Sequence, residues 1–204
     1  MRVTTTRRAE YAAATKKAIE QAAHDLFSRQ GFKTTTVDMI ARQARVAPAT
    51  VYAVAGGKQG LLRTVIASAT TSPETEEIKQ RLADAPDAAG LVRYLTHQTR
   101  LKFADWHDVM RVVAETASQD PAVADALRLA AESRREGFRR AAERLHDLGA
   151  LHDGLTVDRA ADIIWFYLDN ASYFALTDTN GWPLDDAEAF LHDQLRRALL
   201  RDPA

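Results

Sequence analysis

The segment between Thr36 and Leu62 constrains this chain most, because it holds two short amphipathic patterns separated by a tight turn. The inward-facing residues of the first pattern recur three, four and seven positions apart and are Val37, Ile40, Ala41 and Ala44. Those of the second pattern are Val46, Thr50, Val51 and Val54. Such spacing places one stripe of a helix inward. Two helices joined by a tight turn form a helix-turn-helix, which makes DNA binding the first hypothesis.

The outward face of the second pattern is the surface that a DNA groove would meet. It carries Pro48, Ala49, Tyr52 and Ala53. On the first pattern the outward residues are Asp38, Arg42 and Gln43.

Charge is divided unevenly along the chain, although the net charge is only -1. Residues 1–70 hold 11 Lys and Arg against 4 Asp and Glu, whereas residues 71–204 hold 16 against 24. A basic part joined to an acidic part is typical of a phosphate-binding module fused to another kind of module. Accidental surface composition would give the same asymmetry, but its coincidence with the helix-turn-helix favours the first interpretation. We expect a DNA-binding domain over residues 1–57 and a second domain over residues 58–204.

Several classes of protein are disfavoured by composition. The chain has no cysteine, which excludes disulfides, thiolate catalysis and cysteine metal sites. The longest apolar run, Ile163 to Leu168, is too short to cross a bilayer, and we find no signal peptide. We therefore expect a cytoplasmic protein that needs no membrane, metal or cofactor.

Helical periodicity recurs throughout, and no segment alternates with the period of a strand, so the predicted fold is all-α. A basic arm, residues 2–8, precedes a first helix from Ala9 to Gln30 that Gly31 ends in a left-handed turn. Thr35 or Thr36 caps the next helix, and Asp38 would complete a capping box with Thr35. After the helix-turn-helix, predicted helices cover residues 59–71, 74–84, 87–103, 105–118, 121–148, 156–177 and 184–201.

The helix-turn-helix resembles the signature of the tetracycline-repressor-like (TetR) transcriptional regulators, and the resemblance is specific over about residues 10–65. It implies a three-helix DNA-binding domain followed by a helical domain for ligand binding and dimerisation, with repression as the commonest mode of action. The matching residues are Thr36, Val37, Ile40, Ala41, Ala44, Val46, Thr50, Val51, Tyr52, Lys58 and Leu61, preceded by Leu26, Phe27, Gly31, Phe32 and Thr35.

Four positions depart from the family pattern. Arg45 replaces a turn glycine, and a left-handed backbone there would cost a non-glycine residue about 1 kcal/mol. Ala47 replaces a serine cap at a similar cost of about 1 kcal/mol. Val54 and Ala55 replace an aromatic pair that anchors the second helix, but we expect the fold to survive.

Side chains suited to DNA cluster on this motif. Hydroxyl and ammonium groups suit phosphates, and by resemblance Tyr52 and Lys58 have that role, although Tyr52 could instead pack between helices. Arg45 could pair with a guanine edge or simply face phosphate or solvent. The predicted DNA-binding residues are Thr36, Arg45, Ala47, Pro48, Ala49, Thr50, Tyr52 and Lys58.

A single module offers few base contacts, so duplication by two-fold symmetry and a palindromic site are expected. The predicted dimer interface lies on the last two helices, because the helix 156–177 has two apolar faces. Its other face carries Ile163, Phe166, Tyr167 and Phe174. The interface residues that we predict are Ile164, Leu168, Ala171, Ala175, Leu184, Ala187, Leu191 and Leu195.

Aromatic and polarisable residues are frequent in the second domain and could line a cavity for a small-molecule effector. Such an effector would fit only one spacing of the helices and would shift the protein toward it. DNA affinity would fall because that state binds DNA less well. The alternative for each residue is ordinary core packing. The candidates are Tyr94, His97, Phe103, Trp106, His107, Met110, Phe138, Trp165, Asn170 and Tyr173.

Other functions remain open. An enzyme has little support, because adjacent His–Asp pairs such as His146 and Asp147 point about 100° apart on a helix, and phosphate-loop, nucleophile-elbow and zinc-helix motifs are missing. An architectural DNA-binding protein without a ligand, or a protein-interaction module, is also compatible with the sequence. An acidic second domain argues against binding by charge alone.

Overall fold

The computed structural model describes residues 7–71 and 73–201, and in these ranges it confirms the all-α prediction. One isolated bridge between Leu151 and Leu200 is the β pairing found in the described residues. The helices are α1 (Arg7–Gln30), α2 (Val37–Ala44), α3 (Pro48–Ala55), α4 (Lys58–Thr71), α5 (Pro73–Ala83), α6 (Ala88–Ala117), α7 (Pro121–Asp147), α8 (Val157–Leu168), α9 (Asn170–Phe174) and α10 (Leu184–Leu199), with a π-helical turn at Ala175–Thr179.

The chain forms two compact units. The first unit comprises residues up to Ala69 together with His107–Leu129, and the second comprises Thr70–Trp106 together with the chain from Ala130 onward. These units are defined by contacts within the fold and not by function. The predicted boundary between a DNA-binding domain and a second domain after Gly57 therefore stays a prediction.

The core of the first unit forms as the periodicity of α1 predicts. One face of α1 is buried and contributes Ile19, Ala22, Ala23, Leu26 and Phe27. Burial of these apolar side chains is the main stabilising contribution to the packing of α1. The residues buried with them on later helices are Ile40, Ala41, Val51, Leu61, Leu62, Val65 and Ile66.

The connection from α1 to α2 uses two adjacent threonines differently. Thr36 is the N-cap of α2, and its hydroxyl accepts a hydrogen bond from the Met39 amide at 3.2 Å. Thr35 is buried, and its hydroxyl donates to the Gly31 carbonyl at 2.8 Å. The predicted capping box of Thr35 with Asp38 is therefore wrong, since a buried Thr35 cannot also cap the helix.

The turn between α2 and α3 has the backbone that the sequence comparison implied. Arg45 adopts φ 57° and ψ 45°, the left-handed conformation that a glycine would adopt without a Cβ clash. The Val46 amide then donates to the Ala41 carbonyl at 2.9 Å, closing the end of α2. At the start of α3, Ala47 provides no side-chain cap, and Pro48 takes the first helical position.

Several predicted helix boundaries differ from the structure. α1 begins at Arg7 rather than Ala9, and the remainder of the predicted basic arm, residues 2–6, lies outside the described residues. Helices predicted at 87–103 and 105–118 are one helix, Ala88–Ala117. Alanine at position 104 favours continuation of a helix, so no local signal ends it there.

The predicted helix 156–177 is also wrong, because the chain leaves helical geometry at Asp169, which has φ -70° and ψ 154°. Arg134 of α7 donates to the carboxylate of Asp169 and, at 2.9 Å, to the side-chain oxygen of Asn170. This pair of charge-assisted contacts holds the break between α8 and α9.

The second unit buries facing stripes of α8 and α10. On α8 the buried residues are Ala160, Ile164 and Leu168. On α10 they are Ala187, Leu191, Leu195 and Leu199. Among the helices within the described ranges, none is both long and apolar enough to cross a membrane.

The strain at the α2–α3 turn generates a first prediction. We expect Arg45→Gly to have a free energy of unfolding about 1 kcal/mol higher than Arg45→Ala, because only glycine removes the Cβ that disfavours a left-handed residue. Urea unfolding followed by circular dichroism measures the difference. Equal stability of the two variants would show that the left-handed backbone carries no strain.

Candidate nucleic-acid interface

The outward face of α3 is a nearly continuous apolar surface. Ala47, Pro48, Ala49 and Ala53 are all exposed, whereas Val51 on the opposite side is fully buried. This orientation agrees with the sequence prediction for those residues. Val54 is an exception, because it was predicted to face inward and is 38% exposed. Without the aromatic pair at positions 54 and 55, the end of α3 has no large side chain to hold it inward.

Tyr52 is held at the carboxyl end of α3 and does not pack between the helices. Its side chain is 57% exposed. A Cβ built on Gly57 would lie 3.1 Å from the Tyr52 Cε1 atom, so the ring rests directly on the Gly57 backbone. Gly57 also has φ 97°, a conformation that favours glycine. The exposed phenol is therefore available to a phosphate beside the end of the helix.

Lys58 has partners within the chain that sequence reasoning missed. Its ammonium donates to the Lys33 carbonyl at 3.3 Å and lies 4.3 Å from the centre of the Phe32 ring. Burial lowers the pKa of the Lys58 ammonium. These contacts connect the start of α4 to the loop before α2, and an ammonium has three donors, so one bond to a carbonyl leaves others for a phosphate.

The other predicted DNA contacts differ in accessibility. Thr36 is exposed, and because its oxygen accepts from the Met39 amide, its O–H is left to donate to a phosphate. Thr50 is only half-buried, and Arg45 is exposed at the turn. The structure thus places Thr36, Arg45, Tyr52 and Lys58 in the same compact unit as the exposed face of α3.

A polar network joins α1 to α2, and no local sequence pattern could have predicted it. The Gln43 side-chain amide donates to Asp25 at 3.2 Å and accepts from Arg29 at 3.5 Å. Gln21 donates to the same Asp25 carboxylate at 2.9 Å. Gln43, one of the outward residues of the helix-turn-helix, therefore has its hydrogen bonds within the protein.

The ten ligand candidates are distributed over both compact units. His107 and Met110 belong to the first compact unit, whereas the other eight belong to the second. Within the second unit, Phe103 stacks on Tyr173 with ring centres 4.8 Å apart, and its edge meets Phe174 at 5.1 Å. A separate pair, Phe138 and Trp165, lies 6.2 Å apart.

The helix that carries Phe103, α6, also forms an ionic group with α10. His97 Nδ1 lies 3.0 Å from a Glu188 oxygen, and the Arg100 Nε atom lies 3.5 Å from the other. Tyr173 is fully buried, and its hydroxyl has no hydrogen-bond partner among the described residues. Burial, and to a lesser degree the charge of Glu188, raises the pKa of Tyr173.

Asn170 and Trp165 have structural partners on α7. Asn170 accepts the hydrogen bond from Arg134 described above. The guanidinium groups of Arg134 and Arg135 lie 4.7 Å and 4.5 Å from the Trp165 ring centre, which places them in cation–π contact. Asn170 and Trp165 thus both contact Arg134, which holds the break between α8 and α9. Only the tertiary structure reveals this shared partner.

An open hollow of about 420 Å³ lies between α7 and α8, and none of the ligand candidates lines it. Four carboxylates and two guanidinium groups line it, and hydrogen bonds from Arg139 and Arg140 lower the pKa of Glu136. The described residues contain no group of three or more potential metal ligands. The lining residues are Glu132, Arg135, Glu136, Arg139, Asp158, Ala161 and Asp162.

Most of the predicted dimer residues are in the wrong place for an interface. Ile164, Leu168, Ala187, Leu191 and Leu195 are buried within a single chain, so a second copy cannot reach them. The hydrophobic stripe was identified correctly, but it packs α8 against α10 in the same protomer. Ala171 and Ala175 are exposed and Leu184 is half-buried. The large aromatic side chains exposed in this part of the chain are Phe166 on α8, at 69%, Phe190 on α10 and Trp182 just before α10.

Known sequences resemble the amino-terminal part of this chain. Residues 19–65 match the family model of the bacterial regulatory proteins of the tetR family. YdeS, an uncharacterized HTH-type transcriptional regulator of Bacillus subtilis (strain 168), is 36% identical over 86 residues. That alignment covers 40% of this chain and 42% of YdeS, so the match spans about two-fifths of that relative.

Solved structures share the fold over most of the chain. A candidate transcriptional regulator from Saccharomonospora viridis in complex with choline has a TM-score of 0.77 at 16% identity, covering 93% of this chain and 100% of that one. FadR from Bacillus subtilis in complex with stearoyl-CoA has a TM-score of 0.69 at 16% identity, with coverage of 89% and 98%. At these identities the similarity shows a common fold.

The buried hydroxyl of Tyr173 generates a second prediction. We expect Tyr173→Phe to raise the free energy of unfolding by about 1 kcal/mol, because the variant removes a hydroxyl that loses water on folding without gaining a partner. Chemical denaturation measures the change, with Tyr11→Phe at an exposed position as a control near zero. A destabilised Tyr173→Phe variant would mean that the hydroxyl does have a bonding partner in solution.

Proposed function

We propose that this chain, whose residues 19–65 match the tetR family model, is a TetR-type repressor. It would bind a palindromic operator as a homodimer and be released by a small apolar or aromatic molecule. The observation that carries the proposal is the orientation of α3, which buries Val51 and exposes Ala47, Pro48, Ala49 and Ala53. This is the arrangement that a helix needs to enter a major groove with one face. Binding chromosomal DNA would place the protein in the cytoplasm.

The phosphate contacts assigned in this proposal surround that face. Thr36 keeps a free hydroxyl proton at the amino end of α2, where the helix dipole also favours an anion. Tyr52 offers an exposed phenol beside Gly57, and Lys58 supplies the ammonium at the start of α4. The excess of Lys and Arg over residues 1–70 provides the long-range attraction to DNA.

Selection of bound duplexes from a random pool tests the proposal directly. We expect a palindromic consensus, since each copy of α3 reads one half-site. An architectural DNA-binding protein would instead enrich no sequence, and a protein-interaction module would retain no duplex even at low salt. Either result would overturn the proposed function.

On the selected duplex, Lys58→Gln tests the phosphate role. We expect the plot of log affinity against log salt concentration to become shallower by about 1 for each protomer, because one phosphate contact is lost. Lys79→Gln is the matched control, since it makes the same charge change in the second compact unit, where Lys79 pairs with Glu76 at 3.6 Å. An unchanged salt slope in Lys58→Gln would exclude the contact.

The homodimer proposal rests on aromatic side chains that the protomer leaves exposed. Phe166 projects from α8, and Trp182 meets the edge of Phe190 with ring centres 5.4 Å apart. Exposed aromatic clusters of this kind commonly mark protein interfaces. Phe166 and Phe190 belong to the two helices on which the interface was predicted, although on a different face, and Trp182 directly precedes the second of them.

We expect Phe166→Asp to weaken dimerisation by about a thousandfold or more. Each of the two buried phenylalanines contributes about 2–3 kcal/mol to the interface, and the new carboxylates would have to lose water. Sedimentation velocity over a concentration series measures the effect. Leu129→Asp, at a 57% exposed position in the first unit, is the control and should remain dimeric. A dimeric Phe166→Asp variant would exclude this face.

Effector binding is assigned to the second compact unit. The structurally similar proteins hold choline and stearoyl-CoA, and we extend small-molecule binding to this chain. Phe103 and Tyr173 form a buried, stacked aromatic pair, and Tyr173 has an unbonded hydroxyl that would orient a ligand if the helices part to admit one. Tyr94, Trp106 and Phe138 belong to the same unit and remain candidates for the apolar lining. Repressor release then requires the effector to prefer the protein state with the lower DNA affinity.

A further inference from the structure

We propose that α3 recognises its operator mainly through the C5 methyl groups of thymine, so that methyl groups rather than base hydrogen bonds distinguish one sequence from another. This inference rests on the proposed function and specifies the DNA chemistry that the protein would select. It follows from what the exposed face of α3 can and cannot offer to a base.

The exposed face of α3 is made almost entirely of carbon. Residues 47–55 are all described, and their exposed side chains are Ala47, Pro48, Ala49, Ala53, Val54 and the phenol of Tyr52. Bidentate reading of guanine or adenine requires the paired donors and acceptors of Arg, Lys, Asn or Gln. Thymine alone among the four bases presents a methyl group in the major groove, and apolar side chains are its complement.

Apart from the half-buried Thr50 hydroxyl on α3 itself, three polar side chains near this helix are directed away from its amino end. The Tyr52 ring rests on Gly57 at the carboxyl end of the helix, away from Ala47 and Ala49 at its amino end. The Lys58 ammonium bonds to the Lys33 carbonyl, and Gln43 bonds to Asp25. Among the described residues of the α2–α3 turn, Arg45 remains as an exposed donor that could reach a guanine edge.

Small side chains also set the depth of approach. Alanine methyl groups at positions 47, 49 and 53 add little bulk to the helix, so its backbone can come close to the groove floor. Contact between a protein methyl and a thymine methyl removes both from water. A buried group of this size changes affinity by about fourfold, and several such contacts in two half-sites multiply.

A consequence follows for modified DNA. Cytosine methylated at C5 carries the same methyl group at the same ring position as thymine. A protein that reads the methyl should accept 5-methylcytosine in place of thymine better than it accepts cytosine. Unmodified and methylated cytosine have the same Watson–Crick partner, so the comparison isolates the methyl group.

The test uses the wild-type protein and the duplex obtained by selection. Deoxyuridine replaces each half-site thymidine in turn, which deletes one methyl and keeps the base pair. We expect about fourfold weaker binding at each contacted position and no change at thymidines outside the half-sites. At a contacted position, replacing T·A by 5-methylcytosine·G should bind about fourfold more tightly than replacing it by C·G.

A protein variant completes a double-mutant cycle, in which the protein methyl and the thymine methyl are removed separately and together. Ala49→Gly removes one protein methyl, so deoxyuridine at the thymidine it contacts should no longer weaken binding. Ala13→Gly, at an exposed position of α1, is the control and should leave the deoxyuridine effect unchanged. Circular dichroism verifies that each variant is folded. If Ala49→Gly is unfolded, the deoxyuridine series with the wild-type protein decides the question alone.

The outcomes are distinguishable. Tight binding that is insensitive to every deoxyuridine replacement would overturn the methyl inference and leave the proposed function standing. Loss of affinity confined to positions where 7-deazaguanine replaces guanine would also overturn it and assign the reading to Arg45. Failure to bind any duplex would overturn the proposed function itself.

Discussion

The burial of one face of α1 is the interaction on which the candidate DNA-binding surface depends. Ile19, Ala23 and Phe27 are inaccessible to solvent, as are Ile40 on α2 and Val51 on α3. Removing these side chains from water fixes how α2 and α3 are rotated about their own axes. Because the buried residues occupy one side of α3, its small residues must occupy the exposed side. The side chains that α3 leaves exposed are therefore those that the core does not bury.

Polar contacts complete that arrangement while removing hydrogen-bonding groups from the surface. Gln43 is bonded to Asp25 and Arg29, and the Lys58 ammonium is bonded to the Lys33 carbonyl. Each bond stabilises the packing of neighbouring segments, but it also reduces the number of donors free to read bases. The contacts that stabilise this unit therefore also leave the exposed face of α3 largely apolar.

In the second unit, a charged group rather than a hydrophobic one determines where a helix ends. Arg134 bonds to Asp169 and Asn170 and lies over Trp165, and the helix predicted to continue through this point is broken there. The break separates the buried stripe of α8 from Tyr173, and a π-helical turn follows at Ala175–Thr179. Irregular helices of this type are often found at functional sites, which agrees with placing effector binding in this unit.

Local sequence alone determined the helix-turn-helix, the inward residues of α1 and the choice of an N-cap between two threonines, because each depends on neighbours within one or two helical turns. The left-handed residue in the turn was predicted from the family resemblance. Local sequence could not decide which apolar stripe of α8 faces α10 and which is exposed, since both have the same periodicity. Nor could it find Arg134 or the Asp25–Gln43 bond, whose partners lie 18 or more residues apart. Those choices required tertiary structure, because only packing brings distant groups close enough to bond or to exclude water.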